Sequence, residues 1–262
     1  MALQKTRVST LGVERIQLLK VPLDIVPPET LSDVIFGLLD ETKESSRHEG
    51  KNIVLLSLKD LLRARRNSEY RDFISKAALV IPISRCLVSG ARFLCGKTPR
   101  RYMPFNFVVS ILTLLEKREF TIYLLGGGKH VLQVTEKHIR QTFPKLRIVG
   151  RYLGAFRKQE EKTLVEAIRK AAPSLLLVGK GVRGGELWIA RNNAYLNRGL
   201  RLWCSDLFSV FAEQRSRPSD AVFDRGLEWV GYCFRNPLRL LRLFSYMRYK
   251  VLLLGYKLFK KK

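Results

Sequence analysis

The sequence predicts an α/β protein with a mostly parallel, doubly wound sheet of the Rossmann-like type, followed by a basic helical appendage. Short apolar runs of strand length alternate with amphipathic stretches of helix length. The runs are apolar on both faces, as in strands that helices cover on both sides. Glycine-rich turns follow two of them, at the edge where such sheets bind ligands. We expect one large domain over residues 1–228 and the appendage over residues 229–262.

The elements follow in order along the chain. A short strand and a turn near Pro22 and Asp24 are predicted within residues 15–26, before the extended pair Pro27 and Pro28. The spacing of apolar residues then predicts a helix, a buried strand, a basic helix and another strand at residues 29–44, 51–57, 59–75 and 77–82. Strand and helix continue to alternate, strand first, at residues 120–125, 131–143, 146–149, 159–171, 174–178, 186–197 and 200–204.

The charge of the chain indicates a polyanionic partner. Its 48 Lys and Arg residues exceed its 23 Asp and Glu residues, for a net charge of +25. Such an excess attracts nucleic acid or an anionic membrane. After Glu228 the chain carries nine basic residues and no carboxylate, so the appendage decides between the two partners.

The composition of the appendage favours a membrane surface. Its apolar residues form a stripe with helical spacing, made up of Leu240, Leu243, Phe244, Met247, Val251, Leu254 and Leu258. Basic residues interrupt this stripe, and those expected to face the membrane are Arg248, Lys250, Lys257 and Lys260. This pattern is typical of an interfacial helix. The run of four aliphatic residues 251–254 and the lack of a nucleic-acid motif argue against nucleic acid. A buried or partner-packed helix remains the alternative.

Two glycine-rich turns and one arginine pair could bind a phosphorylated ligand. In the first turn, Gly126 and Gly127 would let a diphosphate approach the amides at a helix amino terminus. The second turn, residues 181–186, ends at Glu186, whose carboxylate could orient a sugar hydroxyl. Neither turn matches a G-x-G-x-x-G or Walker pattern, so purely structural turns remain the alternative. Farther along, Arg239 and Arg242 share a helix face and could clamp a diphosphate.

Other classes of site are not indicated. The cysteines Cys86, Cys95, Cys204 and Cys233 are widely spaced, which predicts reduced thiols rather than a zinc site or disulfides. The amino terminus lacks the apolar core and cleavage site of a signal peptide. No apolar run approaches the length of about 20 residues that spans a bilayer. Any membrane contact is therefore expected to be peripheral.

A set of short motifs carries a family resemblance. They are residues 123–127, residues 143–150 with Gly154, residues 177–189, residues 226–229, and Asn236, Pro237 and Arg239. Together these motifs resemble the WecG/TagA/CpsF family of bacterial glycosyltransferases. The resemblance implies transfer of an N-acetylhexosamine-type sugar from a UDP donor to an undecaprenyl-diphosphate-linked acceptor, without a metal or other cofactor. It also implies a cytoplasmic protein, peripheral on the inner face of the cytoplasmic membrane, and leaves self-association open.

Several polar positions depart from the family pattern. Ile83 stands where the family has the Asp proposed as the general base, and Ser84 follows it. Ser57 retains a hydroxyl at the start of the family's Thr-x-Asn, but a lysine replaces the amide two residues later. The family's Arg-x-x-Gly-x-Asp becomes a stretch that begins at Arg101 and ends at Asn106. In the second glycine-rich turn only the Glu and the Trp of the family motif remain.

The resemblance implies that a base deprotonates the acceptor hydroxyl, which then attacks the anomeric carbon of the donor. Glu186 is the candidate base, because it retains both residue type and position. Ser57 and Ser84 complete the predicted catalytic set, and Asp60 and Asp206 are further substitutes for the missing Asp. The residues predicted to bind the UDP-sugar are Gly126, Gly127, Gly181, Arg217, Arg239 and Arg242.

A function from another class remains open. Because a missing general base costs about 10²- to 10⁴-fold in rate, the change to Ile83 also fits a degenerate, non-catalytic protein. Such a protein would bind lipid-linked glycan or a partner enzyme through the same fold. The retained Glu186 and the arginines of the appendage favour an active transferase.

Overall fold

The computed structural model describes residues 7–8, 12–44, 50–196, 198–226 and 242–259. Its strands are β1 (Arg7–Val8), β2 (Glu14–Leu18), β3 (Val21–Ile25), β4 (Lys51–Leu56), β5 (Leu79–Pro82), β6 (Thr121–Leu125), β7 (Arg147–Tyr152), β8 (Leu175–Gly179) and β9 (Leu200–Ser205). The last six strands form one parallel sheet in the order β5-β4-β9-β8-β6-β7. The predicted parallel sheet is therefore confirmed.

Helices cover both faces of this sheet. They are α1 (Leu31–Glu44), α2 (Leu58–Ala64), α3 (Ser68–Lys76), α4 (Arg85–Cys95), α5 (Pro104–Lys117), α6 (Lys129–Thr142), α7 (Glu161–Ala171), α8 (Glu186–Arg191), α9 (Leu207–Phe211), α10 (Asp220–Arg225) and α11 (Arg242–Phe259). The core on one face includes α1, α5, α6 and α9. The core on the other includes the β2–β3 hairpin, α2, α3, α4, α7, α8 and α11. The fold is thus doubly wound, as predicted.

The predicted turn near Pro22 and Asp24 is wrong. Both residues lie in β3, which pairs with β2 as an antiparallel hairpin that turns at Leu19 and Lys20. Asp24 is 1% exposed, and its carboxylate accepts hydrogen bonds from Arg15 at 2.6 and 2.8 Å. It also accepts one from the Val80 amide at 2.6 Å. A buried carboxylate is stable when it is paired in this way, so Asp24 anchors the hairpin beside β5.

The helices after β4 and β5 also differ from the prediction. The single helix predicted over residues 59–75 is divided into α2 and α3, because Asn67 caps α3 by accepting a hydrogen bond from the Tyr70 amide at 2.8 Å. The helices α4 and α5 were not predicted. Between them the chain reaches the carboxyl edge of the sheet, so this segment contributes directly to the candidate site.

The helix α11 packs against the domain with one face and exposes the other. On the packed face, Tyr249 is fully buried, Leu253 is 4% exposed, and the Tyr249 hydroxyl donates to the Cys86 carbonyl at 3.0 Å. The exposed face carries Phe244, Met247, Val251, Leu254 and Leu258, which continue the predicted stripe. Leu240, Leu243 and Lys260 of the prediction lie outside the residues whose side chains are described. No helix in the described ranges is long and apolar enough to cross a membrane.

Close packing at Gly90 of α4 gives a test of how α11 is held. A Cβ on Gly90 would lie 1.9 Å from the Tyr249 hydroxyl oxygen. We expect Gly90→Ala to lower the free energy of unfolding by about 1 to 3 kcal/mol, because Tyr249 must move out of its site. Tyr249→Phe removes the colliding oxygen and should recover part of that loss in the double variant. Urea unfolding of the four proteins measures this coupling, and additive effects would contradict the described packing.

Candidate active site at the carboxyl edge of the sheet

Three glycine-containing turns meet at the carboxyl edge of β6, β7 and β8. The Gly127 amide donates to the Lys180 carbonyl at 2.6 Å, and the Gly154 amide donates to the Gly127 carbonyl at 3.0 Å. A Cβ on Gly126 would lie 2.7 Å from the Gly179 Cα, so only glycine permits this approach. The two glycine-rich turns singled out in the sequence therefore lie side by side, as their positions after parallel strands require.

These contacts limit how the first turn can bind a phosphate. The Gly126 amide donates to the Tyr152 carbonyl at 3.0 Å, and the Gly127 amide is bonded to Lys180. The amides left for a ligand are those of the first turn of α6, which begins at Lys129 without a side-chain cap. Gly126 and Gly127 thus shape the edge of the site by close packing, while α6 offers the hydrogen-bond donors.

A cleft of about 270 Å³ opens beyond the ends of β5 and β9. Its lining includes Ile83, Met103, Pro104, Phe105 and Arg217, all at or next to the positions compared with the family pattern. The fold therefore brings together the stretch that begins at Arg101, the position of the absent Asp and Arg217, one of the residues predicted to bind the UDP-sugar. The wall formed by Ile83 and Phe105 is apolar.

The charged groups of this cleft are Asp206, Arg215 and Arg217. Asp206 forms ion pairs with Arg215 and, at 3.4 Å, with Lys180 of the second glycine-rich turn. Arg217 donates to Asn106 at 3.0 Å and lies over the Phe105 ring. The cleft thus has a carboxylate facing the same space as Ile83, with cations around it. Arg215 was not predicted, because only the folded chain brings it to Asp206.

Arg101 is present but does not offer its guanidinium to the cleft. Its side chain donates to the Ile83 carbonyl at 3.0 Å and to the Phe223 carbonyl at 2.9 Å, and its guanidinium lies 3.6 Å from the centre of the Phe223 ring. Arg101 therefore holds α10 against the strand end that carries Ile83.

Ser57 and Ser84 lie next to each other at the ends of β4 and β5. Ser84 Oγ accepts a hydrogen bond from the Leu58 amide at 3.3 Å. Ser57 caps α2, with its hydroxyl 2.5 Å from an Asp60 carboxylate oxygen. The structure thus places Ser84 against the first residue of the helix that Ser57 and Asp60 cap.

Glu186 lies in a different environment from the cleft. It is the first residue of α8, and its side chain is 13% exposed and pairs with Arg63 of α2 at 3.0 Å. Burial and the nearby Asp60 carboxylate raise the pKa of Glu186 to about 7, against the opposing effects of Arg63 and Tyr70. A carboxylate with a pKa close to neutrality suits a general base, although Glu186 does not line the 270 Å³ cleft.

The raised pKa of Glu186 predicts a dependence of stability on pH. The folded protein holds this proton more tightly than the unfolded chain, whose carboxyl has the ordinary pKa of 4.5. The stabilisation is complete below pH 4.5 and is lost as the pH rises through about 7. Relative to Glu186→Gln, we expect the wild-type unfolding free energy to fall by roughly 2 to 3 kcal/mol across this range. Urea unfolding at several pH values measures it, and a constant difference would contradict the raised pKa.

The remaining predicted residues belong to the appendage. Arg239 and Lys260 lie outside the described residues, and of Arg242 the structure describes only the backbone, at the start of α11. Arg248, Lys250 and Lys257 are exposed on α11. The described residues contain no group of three or more His, Cys, Asp or Glu side chains that could hold a metal ion.

The fold is a Rossmann-like α/β fold with a cleft beyond the ends of parallel strands, where proteins of this class bind their ligands. The chain belongs to the glycosyl transferase WecG/TagA/CpsF family, whose model matches residues 16–262. The family resemblance of the sequence motifs is thereby confirmed.

Two similar proteins from Bacillus carry the name N-acetylglucosaminyldiphosphoundecaprenol N-acetyl-beta-D-mannosaminyltransferase. The one from Bacillus spizizenii strain W23 is 22% identical over 209 residues, which cover 80% of each chain. The one from Bacillus subtilis strain 168 is 23% identical over 190 residues, covering 72% of this chain and 73% of the relative. Both alignments are long enough to include most of the domain.

Proposed function

We propose that this protein transfers an N-acetylhexosamine-type sugar from a UDP donor to a polyprenyl-diphosphate-linked acceptor in cell-envelope polysaccharide or glycolipid synthesis. Membership of a glycosyltransferase family supports the transfer, and the names of the two relatives support a lipid-linked acceptor. The observation that carries the proposal is the cleft beyond β5 and β9, where the family-matched positions converge beside a carboxylate.

The reaction requires a base, a diphosphate site and an acceptor site. The acceptor hydroxyl loses its proton to the base and its oxygen bonds to the anomeric carbon, while the bond from that carbon to the UDP oxygen breaks. The first turn of α6 supplies amides for the leaving diphosphate. Gly181, Arg217, Arg239 and Arg242 are the further donor-binding residues that we propose.

Two carboxylates could act as the base in place of the family Asp, whose position Ile83 occupies in this chain. The pKa of Glu186 suits a base at neutral pH, whereas Asp206 has the better position, because it lines the cleft. Lys180 and Arg215 already engage the two carboxylate oxygens of Asp206 in ion pairs. We therefore propose Glu186 as the base, with Ser57 and Ser84 at the acceptor side and Asp206 as a positioning residue.

Membrane attachment is the second part of the proposal. The exposed stripe of α11, with Arg248, Lys250 and Lys257 on the same helix, suits the surface of an anionic leaflet. Attachment there, on the cytoplasmic face of the membrane, would bring the cleft to a lipid-borne acceptor.

A donor panel tests the proposed function. The protein is incubated with UDP-sugars and a short lipid-diphosphate-sugar acceptor, and both UDP release and UDP-sugar binding are measured. We expect acceptor-dependent UDP release with at least one UDP-N-acetylhexosamine. Binding without release across the panel would favour the non-catalytic alternative.

A further inference from the structure

A second pocket, of about 300 Å³, lies where the β2–β3 hairpin, α2, α3 and α11 meet. Three cationic residues line it, Lys20 at the hairpin turn, Arg65 at the end of α2 and Arg71 of α3. Tyr256 of α11 completes the wall. None of the residues proposed above for catalysis or donor binding lines this pocket.

The charge in this pocket is uncompensated within the described residues. No carboxylate lines it, and none of Lys20, Arg65 and Arg71 forms an ion pair with another described side chain. By contrast, Arg63 and Arg191 on the neighbouring α2 and α8 both pair with glutamates. The three side chains are exposed to solvent and border one cavity, so an anion bound there is attracted to all of them. A phosphate group, with several acceptor oxygens, matches such a set of donors.

The position of the pocket indicates which phosphate would reach it. The pocket borders the packed face of α11, whose opposite face exposes the apolar stripe. A helix is about 10 Å across, and an interfacial helix sinks about 5 to 10 Å into the membrane. When the stripe is buried in this way, the packed face of α11 lies at about the height of the lipid headgroups.

We propose that the pocket formed by Lys20, Arg65 and Arg71 binds the headgroup phosphate of an anionic phospholipid. The inference rests on the membrane attachment proposed above. The apolar stripe provides insertion, which does not depend on the headgroup, and the pocket provides preference for anionic lipid. The hairpin and α11 are thereby joined to one lipid, which fixes how the domain is oriented on the membrane.

The test uses matched pairs of substitutions in the full chain. The pocket variant is Lys20→Asn with Arg71→Gln, since asparagine tolerates the positive φ of 70° at position 20. Arg65 is left intact, because it donates to the Leu19 carbonyl at 3.2 Å and supports the hairpin. The control is Arg66→Gln with Lys162→Gln, which removes the same charge from exposed residues that do not line the pocket. Thermal unfolding verifies that both variants are folded.

Sedimentation with vesicles of phosphatidylcholine, alone or mixed with phosphatidylglycerol, measures the preference. We expect the pocket variant to lose about tenfold or more in affinity for the mixed vesicles, and the control about threefold or less, since each cation close to the surface adds to binding. Binding to pure phosphatidylcholine should not change. Equal losses in the two variants would overturn the proposal, because they would mean general charge attraction.

A soluble arm separates this inference from the membrane attachment itself. Inorganic phosphate is titrated into both variants and the wild type, and chemical shifts of the Tyr256 and hairpin amides are followed by NMR. We expect saturable shifts in the wild type and the control that are absent from the pocket variant. If phosphate binds but the protein does not bind vesicles, the proposed membrane attachment and the lipid site are both wrong, and the pocket is a site for soluble anions. If phosphate does not bind and the pocket variant still binds vesicles, the proposed lipid site is wrong, while the membrane attachment stands.

Discussion

Glu186→Gln is expected to lower glycosyl transfer by about 10²-fold or more while UDP-sugar binding is preserved, because glutamine keeps the shape of the side chain but cannot accept the proton. The wild-type rate should rise with pH through about 7, where the Glu186 carboxyl loses its proton, and then level off. This rising limb should be missing from the variant. Initial rates from pH 5.5 to 9 measure both effects.

Two control substitutions make this result specific. Glu69→Gln changes the same residue type on the neighbouring α3, where Glu69 pairs with Arg191 at the surface, and it should leave turnover unchanged. Asp206→Asn tests the other carboxylate. If Glu186→Gln keeps full turnover with an unchanged pH profile, while Asp206→Asn loses it, the base is Asp206 and the assignment of Glu186 is wrong.

Val251→Asp combined with Leu254→Asp is expected to lower vesicle affinity by about 10²-fold or more. Both side chains lie on the exposed face of α11, at 65% and 54% exposure, so the fold does not depend on them. Each buried aliphatic side chain contributes about 1.5 to 3 kcal/mol, and the new carboxylates are repelled by an anionic surface. Sedimentation with vesicles of mixed phosphatidylcholine and phosphatidylglycerol measures the loss.

A control substitution elsewhere on the surface shows whether the loss of vesicle binding is specific to the apolar stripe of α11. Tyr195→Asp alters a residue that is also 65% exposed but lies in the loop after α8 and not on α11, and it should leave vesicle binding unchanged. Transfer to a water-soluble acceptor should persist in the Val251 and Leu254 variant, since its cleft is intact. Full vesicle binding by this variant would mean that the stripe does not attach the protein to membranes.

Local pattern was enough to predict the parallel sheet, because its strands are short, apolar and separated by amphipathic helices. It failed at the β2–β3 hairpin, where Pro22 and Asp24 have the composition of a turn. Asp24 is instead buried against Arg15 and the Val80 amide, a partner more than 50 positions away. Contacts across such a distance leave no periodic signal in either segment.

The appendage shows a similar limit. The run of four aliphatic residues 251–254 was one argument for a membrane surface, yet the structure divides this run between two faces of α11. Leu253 packs in the core, while Val251 and Leu254 remain exposed. Gly90 of α4 leaves room for Tyr249 and Leu253 on the packed face, and no feature of α11 alone could reveal that contact.

For the site, sequence spacing placed both glycine-rich turns at one edge of the sheet. It could not show that the Gly126 and Gly127 amides are already bonded to neighbouring turns. Nor could it show that Glu186 pairs with Arg63 outside the cleft, because that contact joins residues 123 positions apart. The identity of the substituting base therefore depends on tertiary contacts.

The mass of the acceptor after reaction tests the central claim most directly. A short lipid-diphosphate-sugar acceptor is incubated with the preferred UDP-N-acetylhexosamine and either the wild type or Ile83→Asp, which restores the family residue in the cleft. We expect the wild type to add one N-acetylhexosamine to the acceptor, with only a modest increase in rate for Ile83→Asp. No mass increase with the wild type, but one with Ile83→Asp, would contradict this account and show that the chain has lost catalysis at position 83.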